Sequence, residues 1–225
     1  MKYAEFWILE TAVKFGVPFS RIVGPRDGIE AQWNKPYHNL SRSDMLNLLD
    51  RLARDGDIVA TDDGDIVATD DGDSEFIPDR QQIESWLVYD HPGETKRWYH
   101  LTPQGGERWE RFSCADWDRY HSFEWNWEEE NVLEIAATTR ENSERAFRYV
   151  VPWNSLRVFP ESVGRPIRHP WSATYWKTLE VGYAVRFKCE YVSEVDDSHP
   201  LVRVDYDYFD EWYAKHPDTP RMGPI

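Results

Sequence analysis

Cysteine is nearly absent. Cys114 and Cys189 are the only two in 225 residues, too few for a disulfide framework and at no metal-ligand or redox spacing. No apolar run approaches the roughly 18–20 residues that a membrane span needs. The opening Met1-Lys2-Tyr3-Ala4-Glu5 lacks a secretory-signal pattern. A cytosolic protein with no membrane association is therefore expected. Basic residues are also scarce: 26 Lys and Arg stand against 41 Asp and Glu, a net charge of −15. Non-specific nucleic-acid affinity comes mostly from Lys and Arg displacing counterions, so this balance works against duplex DNA as a partner. Catalytic signatures are missing too. There is no Gly-x-Ser-x-Gly elbow, and Gly105-Gly106 is not followed by the Lys-Ser/Thr of a phosphate loop. No cofactor is expected.

What is plentiful is aromatic side chains, with 12 Trp, 12 Tyr and 10 Phe. A chain this rich in them can build a real core, as one large domain or two small ones. The acidity is concentrated mid-chain: residues 51–100 carry five basic and thirteen acidic groups, and residues 101–150 six and eleven. Such a surface serves solubility, or more specifically a basic protein partner.

Gly56-Asp57-Ile58-Val59-Ala60-Thr61-Asp62-Asp63 recurs without change as residues 64–71, followed by Gly72-Asp73. Each unit of this repeat (56–71) holds a β-type Ile-Val-Ala-Thr run bounded by the turn signal Asp-Asp-Gly-Asp. An insertion of eight residues survives most easily at a surface hairpin tip, which is where the repeat is placed. Two units are too few for a solenoid.

Upstream, the apolar residues of Tyr3–Phe15 cover most of a helical circumference, and Gly16 closes the helix. A loop and a short helix near Gly28–Asn34 follow. Ser41-Arg42-Ser43-Asp44 reads as a capping box in which Asp44 reaches back to the Ser41 amide, with Leu40 and Met45 as a hydrophobic staple. Met45, Leu48, Leu49 and Leu52 then repeat at helical spacing up to Gly56. Pro78-Asp79 opens another helix through Leu87, Arg97–Leu101 is a strand, and Thr102-Pro103 caps a helix to about Phe112.

This order, ending in Tyr99-His100-Leu101-Thr102-Pro103-Gln104-Gly105-Gly106, resembles the winged helix-turn-helix superfamily over residues 1–112. The likeness is to the way PadR- and MarR-type regulators run from a wing strand through Tyr-x-Leu-Thr-x-x-Gly into a helix. The resemblance implies that Ser41–Asp55 is a recognition helix, with Arg42, Arg51 and Arg54 available to DNA, and that residues 57–77 are the wing. Both places depart from a DNA-binding pattern. The helix also offers Asp44, Asp50 and Asp55, and the wing carries Asp57, Asp62, Asp63, Asp65, Asp70, Asp71 and Asp73 with no cation among them. Carboxylates beside phosphates repel.

Residues 113–225 read as a small mixed α+β domain, so the fold class expected for the chain is α+β. Val132–Thr138 is strand-like, Glu141–Val150 helical, and Tyr183–Val192 alternates as a half-buried strand with Arg186, Lys188 and Glu190 outward. Leu201–Val204 is a partner-strand candidate, Tyr206–Lys215 a last short helix, and Pro217–Ile225 a tail. Asp118, His121 and Glu124 would share one face of a helix as a weak metal candidate; a di-metal site would need a second Glu-x-x-His, which is absent. The Asp-Asp-Gly-Asp runs lack an EF-hand's ligand spacing. Arg165, Arg168, His169 and Lys177, beside Trp171 and Trp176, form a weak anion-binding or base-stacking candidate.

The function expected is non-enzymatic: a cytosolic interaction or regulatory protein whose acidic winged-helix surface, Asp62, Asp63, Asp65, Asp70, Asp71 and Asp73, meets a basic protein partner. The alternatives are a winged-helix transcriptional regulator with a C-terminal sensing or dimerisation domain, and an enzyme with its site in residues 113–215.

Overall fold

The Ser41 hydroxyl starts the longest helix of the N-terminal half. A computed structural model describes residues 1–22, 40–61, 75–87, 97–126, 129–192 and 208–218. In it the Ser41 Oγ accepts the Asp44 amide at 3.1 Å, and the helix runs Arg42–Arg54. The Asp44 carboxylate meets the Ser41 hydroxyl at 2.6 Å rather than the amide anticipated for it. The short helix expected near Gly28–Asn34 lies outside the described residues.

The chain is α+β and separates into two compact units, Met1–Ser113 joined by the described residues from Lys215 onward, and Cys114–Ala214. The expected boundary carried the second domain to residue 225; the segment after Ala214 instead groups with the first unit, where the His216 ring stacks on Phe112 at 5.2 Å.

The first unit runs α1 (Tyr3–Thr11), β1 (Val17–Pro18), α2 (Phe19–Ile22), α3 (Arg42–Arg54), β2 (Ile58–Thr61), α4 (Arg80–Trp86), β3 (Trp98–Leu101) and α5 (Pro103–Ser113). Helix α1 stops four residues short of Phe15. Ala12 and Val13 donate three residues back, to Leu9 and Glu10, and the Thr11 hydroxyl bonds both Ile8 O and the Tyr99 hydroxyl. Its residues Phe6, Trp7, Ile8 and Leu9 are all buried, as an all-apolar circumference requires. Helix α3 buries Met45, Leu49 and Leu52 against the same core, each side chain worth about 1.5–3 kcal/mol on transfer from water.

The strands pair antiparallel in the order β1-β3-β2, with Val17 opposite Tyr99 and Ile58 opposite Leu101. On the outer side of β2, Ala60 exchanges both backbone bonds with Phe76, at 2.9 and 3.1 Å. The first repeat unit therefore supplies a buried strand, and the chain after Thr61 returns to that strand at Phe76. Asp79 then caps α4 through a reciprocal pair with Gln82.

The second unit is one sheet with one long helix. Strands β4 (His121–Trp125), β5 (Val132–Ala137), β10 (Gly182–Tyr191) and β6 (Leu156–Val158) pair antiparallel in that order, and β7 (Ile167–Arg168) adds to β10. Strands β8 (Trp171–Ser172) and β9 (Thr178–Leu179) make a separate hairpin. Helix α6 (Arg140–Trp153), capped by Thr139, lays Ala146, Tyr149 and Val150 on Leu133, Ile135, Val185, Phe187 and Cys189. These are alternate residues of β5 and β10, so their neighbours Glu134, Arg186 and Lys188 lie on the other face. Leu201–Val204 lies outside the described residues, and of the span Tyr206–Lys215 where a helix is expected, the described part is helical only at 208–210.

Candidate functional site

Three arginines of α3 were the residues that the winged-helix resemblance offered to DNA. Each has a partner within the chain. The Arg42 guanidinium donates to Glu84 O at 3.1 Å, Arg51 lies 3.4 Å from Glu5, and Arg54 pairs with Asp50 at 2.7 Å. Arg80 of α4 adds a second cation 3.7 Å from Asp50. The Arg54 side chain is largely exposed, but the Asp50 carboxylate is buried, so drawing Arg54 onto a phosphate would strip a buried charge of its nearer cation. Arg42 is held differently, by a carbonyl near the C-terminal end of α4, and that helix lies against α3. Among the described residues, the exposed surface of α3 also presents Asp44.

Asp62, Asp63, Asp65, Asp70, Asp71 and Asp73 lie outside the described residues. Their anchor points are described: the segment leaves the end of β2 at Thr61, and Phe76 pairs with Ala60. Phe76 packs edge-on to Trp86, 6.0 Å between ring centroids, which fixes the returning chain on α4. Asp57, counted with the wing carboxylates, does not belong with them. It is 1 % exposed and forms an ion pair with Arg108. It starts a buried strand, so its side chain had to find an internal cation.

Arg108 is the centre of the first unit's polar interior. It bridges the Asp57 carboxylate and that of Glu5, itself buried and also approached by Arg51. Around it the Leu-Thr-Pro-Gln-Gly-Gly run has a structural job. The Thr102 hydroxyl accepts the Gly105 amide at 3.0 Å and donates to Gly56 O at 2.6 Å. Gln104 Nε2 donates to Asp55 O, and a Cβ on Gly105 would lie 2.0 Å from Asp57 O. The motif bolts the start of α5 to the turn between α3 and β2. Sequence reasoning missed this centre; the available signal was Glu5 directly beside the apolar run Phe6–Leu9 of α1.

His100 is buried in β3 with Nε2 2.9 Å from the Thr61 hydroxyl. A Cβ on Gly16 would lie 2.0 Å from the ring's Cε1, so glycine is what lets the chain pass the imidazole. Burial pushes its pKa down to about 4, which keeps it neutral near pH 7.

In the second unit the metal candidate rested on a helix that does not form. Asp118 lies in a 3-10 turn, Trp117–Arg119, and His121 and Glu124 lie on β4 three residues apart, hence on opposite faces. His121 packs on Phe209, 4.5 Å between ring centroids. Among the described residues no group of three or more His, Cys, Asp or Glu is placed to hold a metal ion. The anion candidate is likewise dispersed: Arg165 pairs with Glu144, and Arg168 forks onto both oxygens of Glu134. Lys177 Nζ sits 5.4 Å from the centroid of Trp117, while Trp171 and Trp176 are buried. The Cys189 thiol is in the core, its pKa raised by burial.

One carboxylate on the sheet stands apart. Glu124 faces Glu134 directly across the β4–β5 pair. Restricted solvation, then the Glu134 charge, raises its pKa. Although the residue keeps an exposed surface, it makes no ion pair among the described residues.

Comparison of the chain with protein-family models, curated proteins and solved structures finds no match. Among the described residues no helix is long and apolar enough to cross a membrane.

Proposed function

We propose that the protein is a non-enzymatic binding protein, cytosolic and regulatory or adaptor-like in role. In this reading it presents the acidic chain between Thr61 and Phe76 to a basic protein partner. The observation that carries this is a division of charge. The α3 arginines each engage an acceptor of their own chain, while six aspartates with no Lys or Arg among them lie between Thr61 and Phe76. A segment of that composition attracts Arg-rich surfaces by steering and by charge-assisted hydrogen bonds. The test is a pull-down from native lysate with wild-type protein and with a variant carrying Asn at the six aspartates. The partner should survive nuclease, leave with salt and be absent from the variant's eluate. Capture of the same protein by both forms rejects the acidic segment as the contact.

A second reading is a winged-helix transcriptional regulator, favoured by the β1-β3-β2 strand order and by the capped helix α3 preceding β2. It requires duplex binding that disappears when Arg42, Arg51 and Arg54 become Ala. The packing of α4 on α3 and the partners of the three arginines weigh against it.

A further inference from the structure

The repeat matches itself over more than its eight-residue unit: the eleven residues Asp55–Asp65 recur as Asp63–Asp73. The first copy fills a demanding slot. Asp55 O and Gly56 O accept Gln104 and Thr102, Asp57 O accepts the Thr102 amide at 3.0 Å, and the Asp57 carboxylate takes Arg108. Gly56 has a φ of 77°, where glycine is favoured. Ile58, Val59, Ala60 and Thr61 are buried, and Thr61 meets His100. Every partner in this description lies outside the repeat, and every residue that fills the slot has an identical counterpart eight positions later.

We propose that the second copy can replace the first, so that β2 has two registers eight residues apart. In the slipped register Asp65 would pair with Arg108, and Ile66-Val67-Ala68-Thr69 would form the strand. Eight is even, so the pleat is preserved and no side chain changes face. The chain is long enough on both sides. Residues 55–62 would loop out after α3, and residues 70–75 would remain to join Thr69 to Phe76. The first register is the ground state because only it continues directly from α3, with Gly56 and Asp57 donating to Ala53 O and Leu52 O. Those two C-terminal bonds are what a slip breaks.

The slip would redistribute charge. The six aspartates that follow Thr61 in the first register become three that follow Thr69, the others lying before or within the new strand. Anything that binds the six-aspartate segment would hold the first register by population shift. The two registers themselves do not depend on any partner.

Aspartate at the first strand position tests this. Ile58 is fully buried, so Ile58→Asp expels the first copy from the slot, and Ile66→Asp disables the second. Melting is followed for each variant and for the double variant. Ile66→Asp should melt with the parent. Ile58→Asp should keep a cooperative transition, lowered by less than about 10 °C for the lost helix-end bonds. The double variant should have no cooperative transition in the first unit, a non-additivity that only a shared slot explains. Equal melting of Ile58→Asp and the double variant, whether both fold or neither does, overturns the proposal.

Discussion

Arg108 holds two buried carboxylates, Glu5 and Asp57, at the joint between α1, β2 and α5. Removing the cation strands both in a medium that solvates them poorly. Arg108→Ala should therefore cost about 3–5 kcal/mol, the range for breaking a buried pair from one side. Urea unfolding followed by Trp fluorescence measures it, and a loss below about 1 kcal/mol would mean that water reaches the site. His100 makes a prediction of the opposite chemical sense. Its folded pKa is about 4 and the ordinary histidine value is about 6.5. The unfolded chain therefore takes up the proton first. Its contribution is complete above pH 6.5, falls as pH drops towards 4, and is flat below that. The whole span is worth about 3 kcal/mol as an upper figure. The stability difference between wild type and His100→Gln, followed from pH 7 to pH 4, should narrow by that order; a constant difference would show that the ring is hydrated in the folded state.

Like charges directly opposite in an antiparallel pair destabilise it, typically by a few tenths of a kcal/mol to about 1. Glu124 and Glu134 are such a pair, and they are not equivalent. Glu134 is gripped by Arg168 and has Arg186 opposite it on β10, whereas Glu124 has neither. Glu124→Gln should therefore stabilise the second unit slightly, and Glu134→Gln should destabilise it by releasing Arg168. Thermal melts of the two variants shifting in the same direction would rule out that asymmetry. The elements themselves were unevenly legible in the sequence. Strand β10 and helices α3 and α6 could be read because their apolar residues recur at the right period and a Ser or Thr caps each helix. Strand β4 could not. His121-Ser122-Phe123-Glu124-Trp125 has the alternation of a strand, yet the Asp/His/Glu spacing suggested a helix, and cross-strand pairing with β5 decided the matter. Long-range partners were equally invisible: nothing local in Arg108, Gly16 or Gly105 announces that it faces the Asp57 carboxylate, the His100 ring or the Asp57 carbonyl.

Charge was legible at the scale of the molecule but only as a total. The net −15 argues against duplex DNA; the contacts identify two separate reasons, and they make different predictions. If repulsion by the six aspartates alone kept DNA away, changing them to Asn would bring the net charge to −9 and allow binding through Arg42, Arg51 and Arg54. Three arginine–phosphate contacts would then give a slope of about −3 in log affinity against log salt. If internal engagement is what matters, Arg42 stays on Glu84, Arg51 on Glu5 and Arg54 on Asp50 whatever the acidic segment carries. The second case is the one expected. The six-Asn variant should remain unbound to duplex at 50 mM salt, measured by fluorescence anisotropy of a labelled oligonucleotide. Binding with that slope would make the acidic segment a brake on a DNA-binding surface rather than a contact for a partner, and the regulator reading would then take precedence.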